Sequence, residues 1–229
     1  MKGKNYANRK PESERPEGDF YPTPSCMVKA LLETKLFSTD HNVANCNMTI
    51  FDPCCGKYAI GNVLRNAGYK NIIERDLMYG QNFLYDCYNS VNLFPKYHFI
   101  DYKKCKDYEI KVYHENIDVI IMNPPFKEFN GFVEKAKDVV DRVYCIGKMN
   151  FFGAHDRNVN GLWEHLEWVL PFDRQIAFDK PETEDGKVEC GMMISGWFIW
   201  NRYYNGCPKI KVLDMQKYIW NGKHSKNCS

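Results

Sequence analysis

The sequence predicts an α/β fold built on a doubly wound, mostly parallel sheet. Short apolar segments typical of strands alternate along the chain with segments that have the apolar spacing of helices. The segment 117–123 (IDVIIMN) is almost wholly apolar, as expected for a strand covered on both faces of a parallel sheet. Together, these observations indicate helices on both sides of one sheet, with ligands at the carboxyl ends of its strands.

The individual elements can be placed in chain order. The first helix is expected directly after Pro24, and the second helix is expected to end at Gly68. The expected helices cover 26–36, 61–68, 129–141 and 161–169. The expected strands cover 48–52, 71–76, 117–123, 143–152, 174–178 and 194–201. An insertion near 79–115 shows no firm period, except for a weak strand pattern at 96–102.

Length and composition indicate a folded globular protein. The 229 residues carry a net charge of +2, which by itself does not require a nucleic-acid partner. We expect a flexible polar arm at 1–18 and one domain over 19–229. No segment approaches the roughly 20 apolar residues of a membrane span, and no signal peptide is apparent, so we expect a cytoplasmic protein without a membrane partner. The ten cysteines form no CxxC pair, so we expect reduced thiols and no metal site.

Two predicted strands end in residues that suit an adenosine-containing cofactor. The first ends at Asp52, followed by Pro53, Cys54, Cys55 and Gly56, and a glycine turn before a helix lets a ligand approach the backbone. Asp76 ends the second strand, 24 positions later, where a carboxylate can accept hydrogen bonds from ribose hydroxyls. An ordinary Asp-Pro turn and a common acidic strand end remain the structural alternative.

A third predicted strand ends at Asn123-Pro124-Pro125-Phe126. Because proline makes up only about 5% of residues, an Asn-Pro-Pro-aromatic sequence at a strand end is rare by chance. The Asn123 side-chain oxygen and the Pro124 carbonyl could accept hydrogen bonds from a planar amino group, and Phe126 could stack on its ring. The alternative is a rigid Pro-Pro turn that only closes the strand.

With these motifs, residues 19 to about 204 resemble the N6-adenine DNA methyltransferase family, especially the compact forms of phages and mobile elements. This resemblance implies a class I methyltransferase sheet with an antiparallel last strand, and S-adenosylmethionine as cofactor. It implies a catalytic loop of Asn123, Pro124, Pro125 and Phe126. It also implies a cofactor site made of Tyr21, Thr23, Pro24, Asp52, Pro53, Cys54, Gly56, Asp76, Asn82 and Phe83.

The resemblance also has departures and open alternatives. Tyr58 stands where the family usually has a second glycine, and Asn82 stands where it often has an aspartate. No separate target-recognition domain is expected, so sequence specificity should be low or supplied by a protein partner. DNA is the expected substrate, and the candidate contact segments are 79–115, 153–160, 180–190 and the Lys-bearing tails. RNA adenine, a protein glutamine and a catalytically silent binding or structural protein are the alternatives.

Overall fold

The computed structural model describes residues 22–37, 47–88, 111–178, 180, 182–184 and 187–219. The predicted arm at 1–18, Tyr21 and the weak strand pattern at 96–102 lie outside the described residues. The helices are α1 (Ser25–Glu33), α2 (Ala59–Asn66), α3 (Phe129–Val139) and α4 (His155–Val159). The strands are β1 (Thr49–Asp52), β2 (Asn71–Glu74), β3 (Cys87–Tyr88), β4 (Val112–Tyr113), β5 (Val119–Met122), β6 (Arg142–Lys148), β7 (Leu166–Pro171), β8 (Ser195–Asn201) and β9 (Lys209–Ile210).

Seven of these strands form one sheet in the order β2-β1-β5-β6-β8-β7-β9. Strand β8 is antiparallel to both of its neighbours, β6 and β7, whereas every other pair in the sheet is parallel. The predicted α/β class, the mostly parallel sheet and its antiparallel strand are therefore confirmed. The two-residue strand β9 follows β8 in sequence and extends the sheet beyond β7.

The side chains of β5 alternate between the two faces of the sheet, and both faces are covered. Val119 and Ile121 pack in one hydrophobic cluster with buried residues of α1 and α2. Ile120 and Met122 pack in a second cluster with buried residues of α3. Since successive side chains of a strand point to opposite faces, the helices cover both faces of the sheet. The almost continuous apolar segment was therefore a correct signal for a doubly covered strand.

Two buried tryptophans of β8 connect the sheet to its surroundings. The indole nitrogen of Trp197 donates a hydrogen bond to the carbonyl oxygen of Met27 in α1, at 2.9 Å. The indole nitrogen of Trp200 donates to the carbonyl oxygen of Leu162, also at 2.9 Å. Both rings are almost fully buried, so each has its one polar group satisfied inside the core. Strand β8 is thereby fixed to the elements on both sides of it.

The helix predicted over 161–169 is wrong, because the residues from Leu166 onward form β7. A bulge between Leu166 and Trp168 adds one residue to the pairing with β8. Leu166 and Val169 therefore face the same cluster although they are three positions apart. This spacing, continued back to Leu162, imitates a helical period.

Two further predicted elements need correction. The strand predicted over 174–178 is wrong in extent, because within it only Ile176 forms an isolated bridge, to Cys190. The strand predicted over 143–152 ends at Lys148 and is followed by a 3₁₀ turn, Met149–Gly153. Among the described residues, no helix is long and apolar enough to cross a membrane.

Candidate functional site

Three parallel strands bring the predicted motifs to one edge of the sheet. Strand β1 lies between β2 and β5, with Phe51 opposite both Ile73 and Ile120. The carboxyl ends of all three strands therefore lie side by side, which places Asp52, Asp76 and Asn123 at the same edge. This arrangement is the one that a site built from strand ends requires.

Asn123 is held by a residue near the start of the described chain. Its side-chain nitrogen donates a hydrogen bond to the hydroxyl oxygen of Thr23 at 3.0 Å, across 100 positions of sequence. Thr23 is buried, with 8% of its surface exposed. The Asn123 side-chain oxygen accepts no hydrogen bond from the residues that the structure describes. This oxygen is thus available as an acceptor at the carboxyl end of β5.

The two prolines after Asn123 form the turn into α3. Pro124 is buried, and Pro125 and Phe126 are half-buried. The Pro125 carbonyl accepts a hydrogen bond from the Glu128 amide at 2.9 Å, whereas no described backbone amide in a loop or turn donates to the Pro124 carbonyl. Both prolines have fixed φ angles and no backbone donor. The Pro124 carbonyl is therefore a second acceptor that is already positioned.

Phe126 is framed by aromatic rings and one cation. Its ring meets the Phe151 ring edge to face at a centroid distance of 5.9 Å, and the Phe178 ring at 6.2 Å. The Lys148 ammonium lies 4.2 Å from the Phe126 ring centroid, within the range of a cation–π contact. The sequence analysis did not select Phe178 or Lys148. Lys148 could have been found as the one charged residue within the strand predicted over 143–152. Phe178 ends the strand predicted over 174–178, which the structure does not form, so the strand pattern did not indicate its place beside Phe126.

Asp52 is a buried carboxyl with one unsatisfied oxygen. One of its oxygens accepts a hydrogen bond from the Cys54 amide at 3.2 Å. The other is buried and has no hydrogen-bond partner among the described residues. Burial raises the pKa of Asp52 well above its ordinary value, and the negative Glu74 and Asp76 raise it further, although the Cys54 amide acts in the opposite direction. A ligand cation such as an ammonium group would satisfy the free oxygen and favour the carboxylate.

Asp76 connects the segment after β2 to the turn after β1. One carboxylate oxygen accepts the Gly56 amide at 2.9 Å, and the other accepts the Met78 amide at 2.9 Å. Gly56 has a φ of 51°, in the left-handed region that glycine adopts without strain. Asp76 is half-exposed, and each of its oxygens has a second lone pair that a hydroxyl group could use.

Tyr58, at the position of the family's second glycine, also has a left-handed backbone, with a φ of 63°. Its ring stacks on that of Tyr79 with centroids 5.6 Å apart and planes 7° apart. The Tyr79 hydroxyl donates to the Gly56 carbonyl at 2.9 Å, so the pair of rings lies against the turn. Tyr58 and Tyr79 are 39% and 45% exposed. Their rings are therefore at the rim of the turn rather than inside an enclosed cavity.

The structure places Asn82 and Phe83 less favourably for cofactor contact. The Asn82 side-chain oxygen accepts the Leu84 amide at 3.2 Å, so it supports a local turn. The Phe83 ring is only 2% exposed and packs in the second hydrophobic cluster, with its centroid 5.8 Å from that of Phe51. Their contacts with a cofactor remain predictions, and Phe83 would need to act from within the core.

A cleft of about 740 Å³ lies close to these residues but outside the strand-end site. It is bounded by α1, α2 and the segment 180–184, and Thr23 and Pro24 line it. Asp52, Asp76 and Asn123 do not line it. No metal cluster of three or more His, Cys, Asp or Glu side chains occurs within the described part of the chain.

No family model and no curated protein matches this chain. Among solved structures, it is similar to the methyltransferase subunit of a type I restriction-modification system from Streptococcus thermophilus, with 11% identity and a TM-score of 0.51. The match covers 89% of this chain and 49% of that subunit, so this chain spans about half its length. A proposed RNA methyltransferase from Pyrococcus horikoshii matches with 16% identity and a TM-score of 0.47, over 87% of this chain and 91% of that protein.

The chain has a Rossmann-like methyltransferase fold. Its seven-stranded sheet has one antiparallel strand, β8, and its backbone matches that of the streptococcal subunit over 89% of this chain. Such low identity shows the fold alone, because one fold hosts many functions. Function must therefore be argued from the residues of the site.

Proposed function

We propose that this chain is an S-adenosylmethionine-dependent methyltransferase that modifies the N6 amino group of adenine in DNA. The observation that carries the proposal is the arrangement of Asn123. Its side chain is fixed by Thr23 at the carboxyl end of β5, its oxygen is left as an acceptor, and Asp52 ends the neighbouring strand. A Pro-Pro turn that only closed a strand would not require an oriented amide there.

The acceptor side of this site suits an aromatic amino group. The nitrogen lone pair of such a group is delocalised into its ring, which makes it a poor nucleophile. The Asn123 side-chain oxygen and the Pro124 carbonyl would each accept one hydrogen of the amino group and hold the nitrogen in a tetrahedral geometry. Because both acceptors are already fixed, little further ordering is needed during the reaction.

The residues around Asp52 fit the proposed cofactor. The buried Asp52 oxygen without a described partner suits the ammonium of an amino-acid moiety, and the partly exposed Asp76 carboxylate suits ribose hydroxyls. When bound, S-adenosylmethionine supplies an activated methyl group from its sulfonium. The chain itself would position the acceptor nitrogen and exclude water.

The rings near the catalytic loop fit a planar acceptor base. Phe126 offers a half-buried ring, and Phe178 stands nearly perpendicular to it, at 85°. Stacking on an aromatic side chain contributes about 1–3 kcal/mol per base. This would offset part of the few kcal/mol that flipping a base out of a duplex costs.

Two observations favour DNA among the acceptors with a planar amino group. The motif resemblance is to DNA-modifying enzymes, and the streptococcal structural neighbour is named as part of a restriction-modification system. RNA adenine and a protein glutamine present the same type of amino group, so they belong in the same assay.

A second candidate is a catalytically silent protein of the same fold. The specific observation in its favour is the Tyr58–Tyr79 stack against the Gly56 turn, where the resemblance implies a second glycine. In this case, neither S-adenosylmethionine nor S-adenosylhomocysteine would bind.

The test combines calorimetry with a transfer assay. Purified protein is titrated with both cofactor forms and then incubated with methyl-labelled S-adenosylmethionine and DNA, RNA or glutamine peptides. We expect cofactor binding and label in DNA adenine, and we expect Asn123→Ala to abolish transfer while cofactor affinity stays nearly unchanged. Label only in RNA or peptide would reassign the substrate. Absence of binding by the wild-type protein would favour the silent candidate.

A further inference from the structure

The hydrogen bond between Asn123 and Thr23 engages the nitrogen of the Asn123 amide and leaves its oxygen for the group to be methylated. A carboxamide carries a donor nitrogen and an acceptor oxygen on the same carbon, and a half-turn exchanges them. With the nitrogen facing an amino group, two donors would oppose each other, and the Asn123 side chain could accept no hydrogen of that group. A threonine hydroxyl can donate or accept, and here its oxygen accepts from the amide nitrogen at 3.0 Å, which corresponds to the productive orientation.

We propose that Thr23 is a positioning residue for methyl transfer, which acts by fixing the Asn123 side-chain amide with its oxygen toward the substrate. This inference rests on the proposed function and assigns Thr23 a role different from the cofactor contact that the family resemblance implies. The bond is largely shielded from water, because Thr23 is 8% exposed. Shielding limits competition from solvent for the same donor and acceptor.

The chain around Thr23 is built to keep its hydroxyl in place. Thr23 lies between Pro22 and Pro24, so the φ angles of both neighbours are restricted and the backbone of Thr23 itself is confined to extended conformations. Two positions later, the Ser25 hydroxyl donates to one Glu182 carboxylate oxygen at 2.7 Å, and the Ser25 amide donates to the other. The segment before α1 is thus fixed independently of the Asn123 contact.

A cofactor role and a positioning role predict different kinetic changes. Substituting a residue that only binds cofactor changes the cofactor dissociation constant. Substituting a residue that orients the group to be methylated lowers kcat. Thr23→Val removes the hydroxyl and keeps the branched shape, and Thr23→Ser keeps the hydroxyl. Ser25→Ala is the matched control, because it loosens the same segment without touching Asn123.

We expect Thr23→Val to lower kcat about three- to tenfold, which corresponds to the net contribution of one neutral hydrogen bond. Its cofactor dissociation constant should stay within about twofold of wild type, and Thr23→Ser should recover most of the lost rate. Ser25→Ala should keep kcat within about twofold of wild type, even if its thermal midpoint falls.

A second measurement does not depend on turnover. In a ¹⁵N-labelled protein, the side-chain amide signals of Asn123, identified by their loss in Asn123→Ala, should shift and exchange faster with water in Thr23→Val but not in Ser25→Ala. Unchanged signals would overturn the inference. So would an unchanged kcat, an equal loss of rate in Thr23→Ser, or a change confined to cofactor affinity. If wild-type protein methylates none of the acceptors, the proposed function fails first, and the positioning role in transfer fails with it.

Discussion

The Asp76 carboxylate accepts a hydrogen bond from the backbone amide of Gly56 at 2.9 Å. This bond joins the segment after β2 to the turn after β1, and the Cys55 amide reinforces the junction by donating to the Arg75 carbonyl at 3.0 Å. The residue proposed to hold the ribose therefore also shapes the turn proposed to hold the methionine end. A change at Asp76 should affect both parts of the cofactor site.

Asp76→Ala should weaken cofactor binding by at least about 1.5–3 kcal/mol, the contribution of one hydrogen bond to a charged group. Isothermal calorimetry with S-adenosylhomocysteine measures this change. Asp76→Asn is the informative comparison, because its one side-chain oxygen can still accept the Gly56 amide, and it should lose less affinity than the alanine variant. An unchanged dissociation constant in Asp76→Ala would mean that the ribose is held elsewhere.

Cofactor affinity should depend on pH through Asp52, because burial raises the pKa of this carboxyl well above its ordinary value of 3.8. At pH values between the ordinary pKa and the raised pKa of the folded state, the folded protein retains a proton that the unfolded chain has released, so this group makes stability fall as pH rises. A ligand ammonium favours the carboxylate, so cofactor affinity should rise with pH over the same range. The ammonium itself stays protonated up to about pH 7.7, which limits the usable range.

Calorimetric titrations at several pH values measure the Asp52 effect. Asp52→Asn is uncharged at every pH, so it should bind cofactor more weakly and lose the part of the pH dependence that Asp52 causes. Denaturant unfolding of the same pair should show a smaller fall of stability with pH in the variant. A wild-type affinity that is flat over this range would contradict the proposed contact between Asp52 and the ammonium.

The sequence was sufficient for the central strands and for the edge at which the site lies. The apolar residues of β1 and β5 and the polar residues directly after them give signals that depend only on local order along the chain. The bulge between Leu166 and Trp168 had no such signal, because an inserted residue changes the apparent period without changing the composition. The local pattern therefore predicted a helix where a strand occurs.

Side-chain contacts across the fold were also beyond the sequence pattern. The contact between Thr23 and Asn123 spans 100 positions, so no local period could indicate it. The burial of Phe83 depends on how the rings of Phe51 and Phe132 close around it, with centroids 5.8 and 5.4 Å away. The motifs identified Thr23, Asn123 and Phe83 as site residues but did not indicate which of their atoms would be free for a ligand.

If the chain modifies DNA, the methylated sites should share only a short or degenerate sequence context. No separate recognition domain is expected, and the insertion near 79–115 is tied back to the fold at its ends, where Arg75 forms an ion pair with Glu115 at 2.5 Å and Lys111 contacts the Gly80 carbonyl. Mapping of methylated adenine after expression in a methylation-free host measures the context, with Asn123→Ala as the blank. A long, strictly specified site would instead imply that the insertion reads bases.

Tyr58 decides between a working and a silent cofactor site. Its ring is 39% exposed and stacks on Tyr79, so we expect the methionine end of the cofactor to meet the backbone of the turn rather than the ring. Tyr58→Gly should then leave cofactor affinity equal or slightly weaker in calorimetry. Glycine relieves about 1–2 kcal/mol of left-handed strain, whereas losing the stack costs about 0.5–1.5 kcal/mol and the greater backbone freedom of glycine costs about 0.5–1 kcal/mol. Stability should therefore change by no more than about 1.5 kcal/mol in either direction.

Tyr58→Phe is the control for this last comparison, because it keeps the ring and the stack and removes only the hydroxyl. It should bind cofactor as the wild type does. If the ring instead fills the space of the methionine moiety, Tyr58→Gly should create or greatly strengthen binding, while Tyr58→Phe should remain as weak as the wild type. That pair of results would favour the catalytically silent protein, because the Tyr58 backbone, with a φ of 63°, would then place the ring where the cofactor should bind.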